Sequence, residues 1–179
     1  MRQYRIEQIQ NIKNFGNQKK KIEFQAWKLI ISIAICQGAG FIASWYTAES
    51  ISTWYETLQK PSFTPPGWLI SLIWIFLYTI MGIAFYLIWK KSYIKKGISS
   101  AQVFFFVQLL LNVLWTLVFF GFQFPLGGIY TIILLWVFIL ITAIKFFFID
   151  RIAGYLMIPY LIWVSFASIL NAYIVQLNR

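Results

Sequence analysis

"GISSAQVFFFVQLLLNVLWTLVFFGFQFPLGGIYTIILLWVFILITAI" occupies residues 97–144, 48 residues without one Asp, Glu, Lys or Arg. A membrane span needs roughly 20 apolar residues, so this stretch is too long for one and right for two. The break falls at "FQFPLGG" (122–128), where a proline and two glycines within seven residues make a turn. Two further charge-free windows, 29–48 and 61–89, precede it, and another apolar run follows Arg151. The pattern predicts an all-α membrane protein, a five-transmembrane-helix bundle with spans near residues 29–46, 68–89, 101–120, 128–148 and 152–174.

Composition agrees. The chain has 179 residues, 60% hydrophobic and only 11% charged, against roughly 25% charged in soluble domains. Histidine is absent and Cys36 is the sole cysteine. That excludes metal sites built on His or Cys clusters, histidine-based catalytic triads, intramolecular disulfides and a His-ligated haem. Cys36, inside an apolar run, reads as a small packing residue.

The net charge of +10 does not point to nucleic acid, because its placement follows the membrane. Arg2, Arg5, Lys13, Lys19, Lys20 and Lys21 precede the first span. Lys90, Lys91, Lys95 and Lys96 follow the second, and Lys145 and Arg151 bracket the fourth connector. The other connectors hold only Lys60, with Glu49 and Glu56 nearby. This alternation obeys the positive-inside rule and predicts the N-terminus inside and the C-terminus outside. An impermeant thiol reagent added outside should therefore label Glu56→Cys and spare Lys95→Cys; the reverse would overturn the orientation. Residues 1–26 form a basic cytoplasmic extension before a transmembrane domain at 27–179. In the extension Ile6, Ile9, Ile12 and Phe15 recur near helical spacing, which fits either a surface helix on anionic lipid or a disordered tail.

Four tryptophans, Trp27, Trp45, Trp68 and Trp89, sit at span ends as interfacial anchors. Four others, Trp74, Trp115, Trp136 and Trp163, lie inside spans. At 1.5 Å of rise per residue, Trp74 lies about 9 Å below the outer end of its span, Trp115 about 8 Å and Trp163 about 16 Å. Polar residues share their faces. Gln108, Asn112 and Thr116 form one stripe on the third span, beside Trp115. Ser71, Trp74 and Tyr78 share a face of the second; Tyr160, Trp163, Ala167 and Asn171 share one of the fifth. An amide facing lipid is costly, so Gln108, Asn112 and Asn171 are expected inside the bundle.

Such stripes allow two readings. In one, polar groups bond across helices while the aromatics merely pack. In the other, rings and a few polar groups line an apolar cavity for a flat hydrophobic ligand. A polar strip also suits a conduction path, but no charged residue lies in a span interior (Lys145 can snorkel), which weighs against proton relays and ion-coupled transport. Pro159 should kink the fifth span one turn before Trp163.

The connector "WYETLQKPSFTPPGW" (54–68) holds two Trp, a Tyr, a Phe and three Pro. Thr64 reads as a helix N-cap with Pro65 and Pro66 in the first turn. The prolines restrict the chain and lower the entropy of ordering the connector. Its rings then suit a rigid lid over the mouth of a cavity.

This connector, together with "LIWIFLYTIMGIAFYLIW" after it, resembles the second-span signature of the translocator protein (TspO/MBR) family, the tryptophan-rich sensory proteins once called peripheral benzodiazepine receptors. "QLLLNVLWTLVFFG" (108–121) and "IPYLIWVSFASILN" (158–171) resemble the family's third and fifth spans. The resemblance covers about residues 40–178; the basic extension departs from it. It implies a five-helix bundle, commonly dimeric, that binds porphyrins and isoquinoline- or benzodiazepine-type drugs under the first loop. The implied pocket positions are Tyr55, Pro65, Ile70, Trp74, Tyr78, Asn112, Trp115, Thr116, Trp163, Ala167 and Leu170. These largely coincide with the stripes, which favours the cavity over simple packing.

Some bacterial members degrade protoporphyrin in light, and the tryptophans tied to that chemistry match Trp74 and Trp163. The family's association with sterol is matched by Leu170, Tyr173 and Arg179, a loose pattern that a helix-end tyrosine and a snorkelling arginine explain more simply. The expected function is a multi-pass cell-membrane receptor or sensor for tetrapyrroles, with porphyrin as ligand, no required cofactor and no metal. Membrane lipid and a second copy are the other expected partners. The rivals are a light- and oxygen-dependent porphyrin-degrading enzyme and a passive transporter. On the first span, Ala34/Gly38, Ala39/Ala43 and Gly40/Ser44 are small-residue pairs that permit close helix contact.

Overall fold

The computed structural model describes residues 25–92 and 97–179; residues 1–24 of the basic extension, Lys95 and Lys96 lie outside them. The described elements are helices: α1 (Ala26–Ser52), α2 (Trp54–Thr57), α3 (Gly67–Trp89), α4 (Ile98–Thr116), α5 (Pro125–Ile149), α6 (Arg151–Leu156) and α7 (Ile158–Leu177). A π-helical turn, Leu117–Gly121, extends α4, and α6 with α7 makes one broken span. Five rods of 23 to 27 residues are therefore long and apolar enough to cross a membrane. At 1.5 Å per residue each spans about 35–40 Å, against roughly 30 Å of hydrocarbon. The protein is an all-α, multi-pass membrane protein.

Apart from shifts of up to three residues at other span ends, three local features differ from the sequence reading. Helix α1 continues six residues past 46, because none of residues 47–52 is Gly or Pro. The Thr47 and Ser52 hydroxyls also bond back to carbonyls within the helix. Thr64 does not cap α3. Its hydroxyl donates to the Pro61 carbonyl (2.7 Å), closing a turn with the Thr64 N–H on the same oxygen (3.0 Å). Pro66, extended at φ −63°, ψ 148°, is the residue that precedes the helix, so the prolines lie outside its first turn. Each proline also drives the residue before it out of the helical region, which delays the start to Gly67. In the fifth span Pro159 does more than kink the helix. The chain breaks at Met157 and restarts at Ile158, with proline in the first turn, where its missing N–H costs nothing.

Helix α1 packs on α3 and α4, α4 on α5, α5 on α7, and α3 on α6. Lipid gives apolar helices little reason to associate, so close backbone approach and interhelical hydrogen bonds matter. At Gly82 of α3 the backbone of Ile33 on α1 comes so near that a Cβ would sit 2.6 Å from its Cα. One turn along α1, the Gln37 amide donates to the Ile75 carbonyl and to the Thr79 hydroxyl, both at 2.9 Å. Toward the end of the bundle that carries Trp89 and Ile149, the interior is closed by Phe105, stacked between Phe85 (4.7 Å) and Phe146 (5.7 Å).

One end of the bundle carries Lys28, Lys90, Lys91, Lys145 and Arg151, most of the basic side chains among the described residues. Trp27 and Trp89 meet edge to face at 5.5 Å, and the Lys28 ammonium lies over both rings. Asp150 caps α6 through the N–H groups of Ile152 and Ala153 and pairs with Lys91. Burial raises the Asp150 carboxyl, but the hydrogen bond from Lys91 and those from the α6 backbone outweigh it and hold the group below its ordinary value. The opposite, lid end carries Trp45 and Trp68, both largely exposed as interfacial anchors would be.

Candidate functional site

The connector between α1 and α3 folds across the lid end and is fastened on two sides. Trp54 and Tyr55, on the short helix α2, meet Phe119 of the π turn edge to face at 5.9 and 6.2 Å, and Tyr55 meets Phe120 at 5.2 Å. On the other side Phe63 packs edge-on against Phe166 (6.1 Å) and Tyr173 (5.3 Å) of α7. Gln59 and Asn178 form a two-bond clasp: the Gln59 N–H donates to Asn178 Oδ1 and Asn178 Nδ2 donates to the Gln59 carbonyl, each at 2.9 Å. Burial pushes the Tyr55 phenol above its ordinary pKa, so the ring stays neutral.

Two adjoining cavities lie beneath. The first, about 70 Å³, is lined by Tyr55, Ile70, Trp74, Trp115, Phe119, Phe120, Trp163, Phe166, Ala167, Leu170, Asn171 and Ile174. The second, about 240 Å³, lies between α1, α3 and α4 and is lined by Gly40, Ala43, Ser44, Thr47, Ile51, Ile70, Ser71, Trp74, Ile75, Tyr78, Trp115, Thr116 and Phe120. Ile70, Trp74, Trp115 and Phe120 line both and form the partition. Merged, the two spaces would reach the lower end of the ~300–1,000 Å³ range of small-molecule sites.

Trp74 is the hub of the partition. Its ring centroid lies 5.6 Å from Tyr78, 6.1 Å from Trp115, 6.3 Å from Tyr160 and 6.4 Å from Trp163. Below it runs a buried polar chain: the Tyr78 hydroxyl donates to Asn112 Oδ1 (2.6 Å), and Asn112 Nδ2 donates to the Tyr160 hydroxyl (2.8 Å). Trp115 Nε1 donates to Asn171 Oδ1 (3.3 Å), and Asn171 Nδ2 to the Pro125 carbonyl (2.9 Å). Both amides therefore hold rings in place while being satisfied themselves. Gln108, one turn below Asn112, is also fully buried, but its amide has no partner among the described residues.

The polar capacity left to the cavities is small and directional. Ser44, Thr47, Ser71 and Thr116 each donate to a backbone carbonyl one turn back, leaving only lone pairs for the second cavity. In the first, Trp163 Nε1 is buried without an acceptor among the described residues. The site offers a large aromatic surface, a few acceptors on the α1 side and an indole donor on the α7 side.

Of the residues singled out from sequence, Tyr55, Ile70, Trp74, Tyr78, Trp115, Thr116, Trp163, Ala167 and Leu170 line one cavity or both. Asn112 lies behind Tyr78, as the residue that orients it. Pro65 sits in the lid and lines neither cavity. The loose sterol pattern is split: Leu170 faces the first cavity, Tyr173 takes Phe63 of the lid, and Arg179 ends the chain. Trp136 lies away from the site and donates to Ser165 Oγ (2.8 Å) beside a shallow groove between α5 and α7. Phe119, Phe120 and Phe166 escaped the sequence reading, as did the α1 wall of Gly40, Ala43, Ser44 and Thr47.

Because the prolines lie in the lid and not in the helix, their effect should fall on ligand affinity. The double change Pro65→Ala/Pro66→Ala restores freedom worth about 0.4–1 kcal/mol per residue. It is expected to weaken ligand binding roughly fivefold while leaving thermal unfolding of the bundle nearly unchanged. Lost thermal stability with intact affinity would instead assign the prolines to the fold.

The TspO/MBR family model matches residues 32–177. The chain is 42% identical over 158 residues to the tryptophan-rich protein TspO of Chlorobaculum tepidum, covering 86% of this chain and 98% of that one. It is 41% identical over 151 residues to the tryptophan-rich protein TspO of Archaeoglobus fulgidus, covering 84% and 97%. It is 33% identical over 142 residues to the translocator protein of Bos taurus, covering 78% and 83%. The match takes in the lid, both cavities and the five spans from residue 32 onward, and the chain is a membrane protein of the TspO/MBR family.

Proposed function

We propose that this protein is a receptor of the cell membrane for tetrapyrroles of the protoporphyrin type and similar flat hydrophobic molecules, held beneath the lid. The carrying observation is Trp74, whose ring touches four other aromatic rings from three helices and divides two cavities. A flat macrocycle gains most from such a surface, through burial and offset or edge contacts. A ligand that uses both cavities requires Trp74 to swing out of the partition. The names of the relatives, a tryptophan-rich sensory protein in Cereibacter sphaeroides and a translocator protein in Bos taurus, support sensing or movement of a ligand. In this reading porphyrin is the ligand, no resident cofactor is needed, the lid faces outward, and the chain works in lipid as a homodimer.

A second reading is favoured by one feature. Trp74 and Trp163 lie 6.4 Å apart and nearly perpendicular, with the Trp163 indole N–H unpartnered among the described residues. An indole so placed could pass an electron to a photoexcited porphyrin and recover it as oxygen adds to the ring, so that oxygen oxidises the macrocycle, the tryptophans are restored and the protein is a porphyrin-degrading enzyme. Titrating the purified protein with protoporphyrin in the dark and in light separates the readings. Saturable binding in the dark is expected. No binding in the dark would overturn the proposal, and pigment loss in light faster than that of free porphyrin would favour the enzyme.

A further inference from the structure

The cavities themselves carry no charge: neither is lined by Lys, Arg, Asp or Glu. A carboxylate pushed into either would lose its hydration with no cation to compensate, so an acidic ligand must keep that group at the mouth. The mouth holds a cation. Lys60 lies on the lid, half-buried, with its ammonium 4.4 Å from the centroid of the Tyr55 ring. Tyr55 is itself a wall of the first cavity. Glu49 and Glu56 are the acids on this side of the chain, yet Lys60 pairs with no carboxylate among the described residues. An ammonium resting on a ring face still has N–H donors pointing elsewhere.

The clasp also brings the backbone of a second basic residue near Lys60. Gln59 and Asn178 are joined by two hydrogen bonds, and the residue after each is basic, Lys60 and Arg179. Each lies one Cα step, about 3.8 Å, from the clasp residue that precedes it. The loose sterol pattern leaves this arrangement unexplained, since it uses Arg179 without Lys60.

We propose that the lid recognises an acid: Lys60, held over Tyr55 and assisted by Arg179, binds the carboxylate of a ligand whose apolar body fills the cavity. The inference rests on the reading of the cavity as a tetrapyrrole site and adds the class of ligand, an amphiphilic acid over a neutral apolar molecule. A lipid headgroup phosphate offers Lys60 the same oxyanion chemistry. The clasp also acquires a role, since it sets the spacing of the two cations.

The test compares protoporphyrin, a dicarboxylic acid, with its dimethyl ester, which keeps the ring and removes both charges. The full chain is titrated with each in neutral detergent, where no lipid headgroup competes. A hydrogen-bonded ion pair at the mouth should make the acid bind about tenfold more tightly than the ester. Lys60→Gln should bring the acid down to the ester's affinity and leave the ester unchanged. Lys60→Arg should keep most of the preference, and Arg179→Gln should lose part of it. If Lys60→Gln leaves the acid-to-ester ratio as in the wild type, the proposal is overturned and Lys60 serves a lipid headgroup or the lid alone. Equal binding of acid and ester by the wild type also overturns it, while leaving the cavity reading intact. If neither binds, the cavity reading itself fails, and this inference with it.

Discussion

Gly82→Val is expected to destabilise the bundle by about 3 kcal/mol, the upper part of the usual overpacking range. A Cβ at this position would lie 2.6 Å from Ile33 Cα and 3.0 Å from Ile33 N. Those are backbone atoms, so no rotamer change relieves the clash and α1 must move away from α3. The displacement would also strain the bonds from Gln37 to Ile75 and Thr79 on the same helix pair. It would loosen the α1 wall of the second cavity as well. Gly38→Val is the control, because a Cβ there meets nothing within 4 Å; its effect should stay within about 0.5 kcal/mol. Thermal unfolding of both variants in detergent decides the matter. Equal stability would mean that the α1–α3 approach is not what holds these helices together.

The second large effect separates binding from photochemistry. Trp74 and Trp163 present two faces of one aromatic cluster, and stacking asks only for an aromatic surface. Phe at either position should therefore keep protoporphyrin affinity within roughly tenfold, about 1.4 kcal/mol. Light-driven breakdown asks for more, because an indole gives up an electron far more readily than a phenyl ring. Trp163→Phe, and to a similar degree Trp74→Phe, is expected to abolish light-dependent pigment loss wherever the wild type shows it. Absorbance followed under illumination, with affinity measured separately in the dark, reads both quantities. Variants that bind and degrade as the wild type does would make these rings simple packing.

Much of this architecture was legible because membrane burial writes itself in charge. Gaps between charged residues marked the five spans, and the cost of an unpartnered amide in lipid placed Gln108, Asn112 and Asn171 inside, where the structure buries them. Helical periodicity then brought Trp74, Trp115 and Trp163 to one place. What escaped depends on local backbone geometry. Phe119 and Phe120 are adjacent and would point about 100° apart on a regular helix. The π turn at Leu117–Gly121 lets both line the first cavity, and no residue pattern announces such a turn. The α1 wall escaped for the opposite reason. Gly40, Ala43 and Thr47 are small and carry no aromatic or amide signal; Gly40 matters because it lets the Tyr78 ring lie flush, a Cβ there falling 2.4 Å from Tyr78 Cε2. Thr64 was misread because an N-cap signature and a turn-closing threonine look alike when prolines follow. The Gln59–Asn178 clasp joins residues 119 positions apart, beyond the reach of any local rule.

The most direct test of the central claim is to fill the first cavity from its wall. Ala167 on α7 is nearly buried and faces the space between Trp163, Phe166 and Leu170. Ala167→Phe would place a ring where the ligand is proposed to lie, without removing any hydrogen bond. Wild-type protein in the dark should bind protoporphyrin saturably at one site per chain. The variant, with an unchanged helical signal, should bind at least roughly a hundredfold more weakly, about 2.7 kcal/mol. Undiminished binding by a folded Ala167→Phe variant would contradict the account, because the porphyrin would then not occupy the first cavity, where the account places it.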